Sequence, residues 1–253
     1  TERSAFRFED DWPIPRTQWT KMYLRIDRQP DSNPKGSEGE LVKELPVSDS
    51  KVSYGASAPS RPGKMPRGVS FETPPMAEDT EVTGHIVLNV WVSSTNDDMD
   101  IFATIRNIGP DGNDVMEMGQ MGEPLQCVTK GWLRASHREL DRERSLPWRP
   151  VHRHTSASAL VPGEPVALDI EIWPTSIVVP KGYRIALSVL GKDYEWDGPA
   201  ATLSNMKNPM KGCGPFIHDE PSDRPPEVFG ATVTLVTGGA YDSHLLLPII
   251  PQA

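Results

Sequence analysis

Few residues in this 253-residue chain are grouped for chemistry. A serine nucleophile of the strand-turn-helix type needs G-x-S-x-G, because the sharp turn tolerates only small neighbours. The nearest approach is Gly55-Ala56-Ser57-Ala58-Pro59, which ends in proline and runs into loop. The six histidines are His85, His137, His152, His154, His218 and His244. They form no H-E-x-x-H, and no clustered cysteine pair accompanies them, so a zinc site is not indicated. In His152-Arg153-His154 two imidazoles would share a face if the segment were extended. With arginine between them and no carboxylate nearby, they read as polar strand or loop residues. Asp97, Asp98, Asp100, Asp111 and Asp114 are oxygen-rich but lack EF-hand spacing. Such residues usually serve the turn they sit in; turn chemistry is the preferred reading and calcium the lesser one. No cofactor is called for.

The seven tryptophans are the other conspicuous group. Trp91 and Trp173 stand in strongly alternating segments and are expected in the core, as is usual for large aromatic side chains. Trp12, Trp19, Trp132 and Trp148 fall in irregular or helix-compatible stretches and are expected at a docking surface for another domain; Trp196 completes the set. Aromatic faces in a β-rich chain also suit sugar rings, which leaves a carbohydrate-binding module as the alternative.

The elements that would carry these residues are short strands. Lys21–Ile26, Val82–Val92, Ile101–Ile108, Val166–Trp173 with Ile177–Val179, Tyr183–Leu190, Ala231–Thr237 and Ser243–Leu247 are β-rich or alternate polar with apolar. Pro110-Asp111-Gly112-Asn113, Pro162-Gly163 and Pro180-Lys181-Gly182 punctuate them, within a total of 26 prolines and 20 glycines. Residues 27–40 read as a polar turn or long loop. Residues 131–143 are the one helix-compatible stretch. Residues 46–68 read as a long loop that a strand touches at Val52–Tyr54, and long loops are often functional or interfacial. Many strands, frequent turns and almost no helix predict an all-β, two-sheet sandwich.

The totals narrow the function. A net charge of -9 argues against non-specific nucleic-acid binding, which runs on Lys and Arg. No apolar run reaches the ~18–20 residues of a membrane helix, and no secretory leader is visible, so a cytoplasmic location is expected. Cys127 and Cys213 are far apart in sequence and are expected as two reduced, buried thiols. The start Thr1-Glu2-Arg3-Ser4 suggests a fragment, a processed chain or an excised domain.

One set of motifs carries a resemblance. Thr80-Glu81-Val82-Thr83-Gly84-His85, Asp100-Ile101-Phe102-Ala103-Thr104-Ile105 with Pro110-Asp111-Gly112, Gly131-Trp132-Leu133-Arg134-Ala135-Ser136-His137-Arg138, Ile172-Trp173-Pro174-Thr175, Gly182-Tyr183-Arg184-Ile185, Asp193-Tyr194-Glu195 and Gly238-Gly239 follow one another in order. Together they resemble the C-terminal domain of the X-Pro dipeptidyl-peptidase and CocE/NonD serine hydrolases, over residues 70–250, with Trp12–Leu24 resembling the lead-in from a catalytic domain. The resemblance implies a jelly-roll β-sandwich, galactose-binding-like, occupying residues 1–253 as a single domain, with 1–45 as lead-in and 46–68 as the long loop. It implies no catalytic residue here, because the family's Ser, Asp and His belong to an α/β-hydrolase domain absent from this chain. That domain is the implied partner, with a homo-oligomer as a further one. The candidate interdomain or pocket-lining residues are Trp12, Trp19, Tyr54, Trp132 and His137. For Arg134, His137 and Arg138 a structural role, bonding to carbonyls and carboxylates, is preferred to substrate contact.

Overall fold

The computed structural model describes residues 6–27, 38–57, 68–115, 117–118, 124–125, 127–194, 217–218 and 220–251. Residues 28–37, residues 58–67 of the expected long loop, Trp196 and Cys213 lie outside them.

Alternating and β-branched segments become strands: β1 (Gln18–Ile26), β2 (Gly39–Val42), β3 (Ser50–Gly55), β4 (Val69–Glu72), β5 (Thr80–Ser94), β6 (Asp100–Ile108), β7 (Glu117–Met118), β8 (Pro124–Leu125), β9 (Thr129–Arg134), β10 (Val166–Val179), β11 (Arg184–Leu190), β12 (Thr232–Thr237) and β13 (His244–Ile250). Helix is limited, among the described residues, to a 3-10 turn at Ala135–His137 and one turn, α1 (Pro226–Phe229). The ladder runs β10-β9-β6-β11-β4-β2-β1-β13-β5-β12-β3, and β10 also pairs with β5, so the chain of pairings returns on itself. Every pairing in it is antiparallel except β2 with β4. The result is a nearly all-β fold of the barrel or sandwich type. Residues 1–45 contribute β1 and β2 to this sheet, and 46–68 contribute β3.

β5 organises the assembly. One edge pairs along its length with β10; the other is shared by β13 and β12. Irregularities are placed where the sequence permits them. The β10 register shifts between Ile172 and Thr175, opposite Gly84, whose φ of 142° is one that glycine adopts freely. The β13 pairing with β5 breaks between Leu246 and Ile249, around Pro248, which has no N–H to give a ladder. Strand β9 crosses close to β10 at Gly131, where a Cβ would stand 2.0 Å from the Glu171 carbonyl oxygen.

The core is aliphatic: Leu24, Leu41, Ile86, Leu88, Ile101, Leu168, Ile170, Ile172 and Leu187 are fully buried around Phe71. Burying such a side chain contributes ~1.5–3 kcal/mol. A second, small cluster of Phe102, Leu190 and Tyr194 lies on the opposite face of β6, with Trp132 packed on it. Every residue of β6 is buried: Ile101, Ala103 and Ile105 face the core, while Asp100, Phe102, Thr104 and Arg106 lie on the other face.

Three expectations are corrected. Residues 131–143 are not helical; they continue β9 into the 3-10 turn, and Trp132 pairs with Phe102 across the ladder. Trp91 and Trp173 are not core residues. Trp173 is 51% exposed, and Trp91 packs edge-on to Tyr241 with its indole N–H toward Asp242. Alternation sorts residues onto two faces without saying which is inside, and the aliphatic set Val90, Val92, Ile170 and Ile172 took the inner one. Finally, Cys127 is buried and disulfide-bonded, not a free thiol. The aspartates do serve turns and ion pairs: Asp98 accepts from the Met99 and Ser136 amides, and Asp111 from the Asn113 amide.

Candidate functional site

The outward faces of β5, β10, β9 and β6 form one surface. Its geometry begins with register. Asp100 on β6 stands directly opposite Arg134 on β9, and Phe102 opposite Trp132. Cross-strand neighbours of this kind interact side chain to side chain. Arg134 donates from Nε to Asp100 Oδ1 at 2.9 Å and from Nη2 to Oδ2 at 3.2 Å, and it reaches Asp223 Oδ2 at 3.1 Å. Asp100 also accepts from Arg224 Nε at 2.8 Å. Arg224 gives its other nitrogens to the carbonyls of His218 and Gly191, at 2.6 and 2.5 Å, and lies over the Phe102 ring. One buried carboxylate thus ties the 218–224 segment to the sheet. The Asp100 hydrogen bond raises the Arg134 pKa further above its ordinary value, so this arginine stays charged.

Beside this knot the surface opens into a pocket of about 430 Å³. Trp132 and Trp173 form one wall, with ring centres 5.4 Å apart and planes inclined by 58°. His218 packs on Trp132 at 4.8 Å and is fixed by its amide and Nδ1 to Asp193 Oδ2, at 2.6 and 2.9 Å. The opposite wall carries His137, His152 and His154. His154 has a left-handed backbone, φ 52°, an uncommon conformation outside glycine. Its Nδ1 lies 3.2 Å from His137 Nδ1, so one ring donates and the other accepts. Burial and the neighbouring His154 lower the His152 pKa. Glu171 also lines the pocket; partial burial raises its carboxyl pKa, against the pull of Arg149.

Glu171 connects the pocket to a second aromatic group. His85, 9% exposed, lies 3.9 Å from Glu171 Oε1 through Nδ1 and accepts the Trp12 indole N–H at Nε2, 3.2 Å away. Because indole nitrogen only donates, that contact sets the tautomer: His85 is neutral with its proton on Nδ1. Burial, aided by Arg149, lowers its pKa. Trp148 packs on His85 at 5.1 Å and stacks on Trp19 at 5.6 Å, with planes 9° apart.

The structure therefore brings Trp132 and His137 together in the pocket and Trp12 and Trp19 together in the adjoining cluster. Tyr54 lies elsewhere. It is 5% exposed inside β3, its hydroxyl has no hydrogen-bond partner among the described residues, and burial drives its pKa up. Arg138 donates to the carbonyls of Ala135 and Ser158. The sequence reading singled out none of Glu171, Trp173, His218 and Arg224 as site residues. For Glu171 and Trp173 a signal existed, since both share the outward side of β10; for His218 and Arg224, set in an irregular segment, none did. No group of three histidine, cysteine or carboxylate side chains among the described residues is placed to hold a metal ion. No helix among them is long and apolar enough to cross a membrane.

Comparison with known proteins gives these features a context. Residues 1–245 match the family described as the X-Pro dipeptidyl-peptidase C-terminal non-catalytic domain. A Mycobacterium bovis protein named for serine esterase activity is 29% identical over 207 residues, covering 75% of this chain and 31% of the relative. A Streptomyces avermitilis protein named for Xaa-Pro dipeptidyl-peptidase activity is 28% identical over 152 residues, 52% of this chain and 22% of the relative. Among solved structures, a CocE/NonD family hydrolase from Staphylococcus aureus superposes with a TM-score of 0.75 at 27% identity, over 98% of this chain and 39% of that one. This chain thus spans about a third of the length of these relatives.

Proposed function

Since the chain belongs to the X-Pro dipeptidyl-peptidase C-terminal non-catalytic domain family, we propose that it is the accessory module of a CocE/NonD-type serine hydrolase acting on esters or peptides. In this reading it docks on an α/β-hydrolase domain and helps shape access to that domain's substrate pocket, and it hydrolyses nothing by itself. The observation that carries the reading is the family match over residues 1–245, which accounts for nearly all of the chain with a non-catalytic domain. The surface chemistry agrees. Trp12 and Trp173 are exposed beside the Trp19–Trp148–His85 cluster and the pocket, and Phe6 and Phe8 of the lead-in are exposed as well. Aromatic groups concentrated on one face mark an interaction surface more than scattered ones do. We also propose that the sandwich is a jelly roll of the galactose-binding-like type, as the family resemblance implies. The comparisons give the carbohydrate-binding alternative no support.

The test is a fluorophosphonate serine-hydrolase probe applied to the isolated, folded chain and read by intact mass. No adduct is expected. A stoichiometric adduct on one serine would show a nucleophile in this chain and overturn the proposal. Co-purification with the parent's hydrolase domain tests the docking separately, and Trp12→Ala is expected to weaken it.

A further inference from the structure

The pocket's strongest charges are already matched from within. Asp100 is bound by Arg134 and Arg224, Asp223 by Arg134, and the remaining Arg224 nitrogens face two carbonyl oxygens. An anionic ligand would find guanidinium groups engaged, and a cationic one would find these aspartates engaged. Drawing either arginine away from Asp100 would leave a buried charge without its partner, which is costly. Metal chemistry has no group of three ligands here among the described residues.

Two features remain open to a ligand. One is the inclined pair of indole faces, Trp132 and Trp173, the latter half exposed. The other is the Glu171 carboxylate. Its cationic neighbour Arg149 stands 3.8 Å away and His85 Nδ1 3.9 Å away, both beyond hydrogen-bond reach, and the carboxylate accepts no hydrogen bond among the described residues. A half-buried carboxylate with no hydrogen-bond donor on it, set beside an aromatic wall, is best satisfied by a neutral donor on an aromatic body. Such a group brings no second cation next to Arg149 and stacks at inclined or offset angles. A pocket of about 430 Å³ is small for an extended ligand and ample for one side chain.

We infer that this pocket receives an uncharged aromatic side chain with a hydrogen-bond donor, a tyrosine or tryptophan from the docked hydrolase domain. Its ring lies against Trp132 and Trp173, and its O–H or N–H is donated to Glu171. The inference rests on the docking reading above and names what that surface grips.

The experiment follows the indole N–H resonances of Trp132 and Trp173 by NMR during titration with N-acetyl-tyrosinamide, N-acetyl-phenylalaninamide and N-acetyl-argininamide. Saturable shifts are expected with the tyrosine amide, at least threefold tighter than with the phenylalanine amide and tighter still than with the arginine amide. Trp173→Ala should weaken the tyrosine amide at least tenfold. Glu171→Ala should erase the preference for tyrosine while leaving the phenylalanine amide bound. Trp91→Phe, outside the pocket, should change nothing and serves as the folding control. Absence of saturation with any aromatic amide, preference for the arginine amide, or an unaffected Trp173→Ala would each overturn the inference. Co-purification with the hydrolase domain is read independently, so a failed titration is distinguishable from a failed docking reading.

Discussion

The two ends of β6 solve the same problem differently. Each buries a charged residue on the outward face of the strand: Asp100 at one end, Arg106 at the other, 7% and 5% exposed. Arg106 is enclosed. Its Nη1 binds both Asp114 oxygens at 2.9 and 3.0 Å, its Nε reaches Ser188 Oγ at 3.1 Å and its Nη2 reaches Ser70 Oγ at 2.9 Å. Those partners sit on β11, on β4 and in the turn after β6, so the network closes on the sheet and its own turn. Asp100 is bound as fully, but by arginines at the pocket edge, one of which belongs to an irregular segment. The lesson is that a satisfied buried charge is not itself a sign of function. What distinguishes the Asp100 end is the surroundings: a half-exposed tryptophan, Trp173, a partly buried one, Trp132, a histidine group and Glu171.

Breaking the closed end should cost the most. Arg106→Ala leaves Asp114 without its partner, and loss of one member of a buried pair is worth about 3–5 kcal/mol; urea unfolding should show that loss. At the open end, Asp100→Asn should cost less, about 2 kcal/mol, as expected for losing hydrogen bonds to a charged group, because Arg134 keeps Asp223 and Arg224 keeps its two carbonyls. Hydrogen exchange should accelerate at 220–230 in this variant and not at β11. A reversed order of the two midpoints would refute the comparison.

Acid should sharpen it further, with a smaller effect. His85 and His152 both have pKa values lowered from the ordinary 6.5. Between the lowered values and 6.5 the unfolded chain binds more protons than the folded one. Their contribution to stability is therefore complete above 6.5 and is lost as pH falls below it. The Arg106 network contains no histidine. Protonation also removes the lone pair that His85 offers to Trp12, so tryptophan fluorescence should change over the same interval, and His85→Gln should flatten that change. The smallest effect on folding is expected from Trp173→Ala. An exposed side chain costs within ~0.5 kcal/mol, so unchanged thermal unfolding should separate its role in binding from any role in the fold.

The β-rich fold was largely legible because its signal is local. The alternating runs of Val166–Trp173 and Tyr183–Leu190 became strands at nearly the expected boundaries. The site was half legible. Trp132 and His137 share a pocket because they lie within one motif, and Trp12 and Trp19 because they lie within one lead-in. Tyr54 turned inward because β3 alternates, with Val52 and Tyr54 on the buried side. Arg224 and His218 join the site through contacts spanning many residues, the largest being 124 in sequence between Arg224 and Asp100, and no local pattern encodes such a meeting. Trp173 was misplaced for the opposite reason: the pattern was strong, but a period of two is silent about which face meets solvent.

The pairing of β1 with β13 has a mechanical side. Gln18 lies opposite Ile249, so a chain entering at β1 and leaving at β13 does so at neighbouring points on one edge of the two-strand ladder. Tension applied through those two points would open the pair one rung at a time, as a zip, rather than shear all its hydrogen bonds at once. Upstream of that point the lead-in is itself held, by the Arg7–Glu81 pair and by the Trp12 indole on His85, so a pull on the entering chain meets those contacts before the first rung.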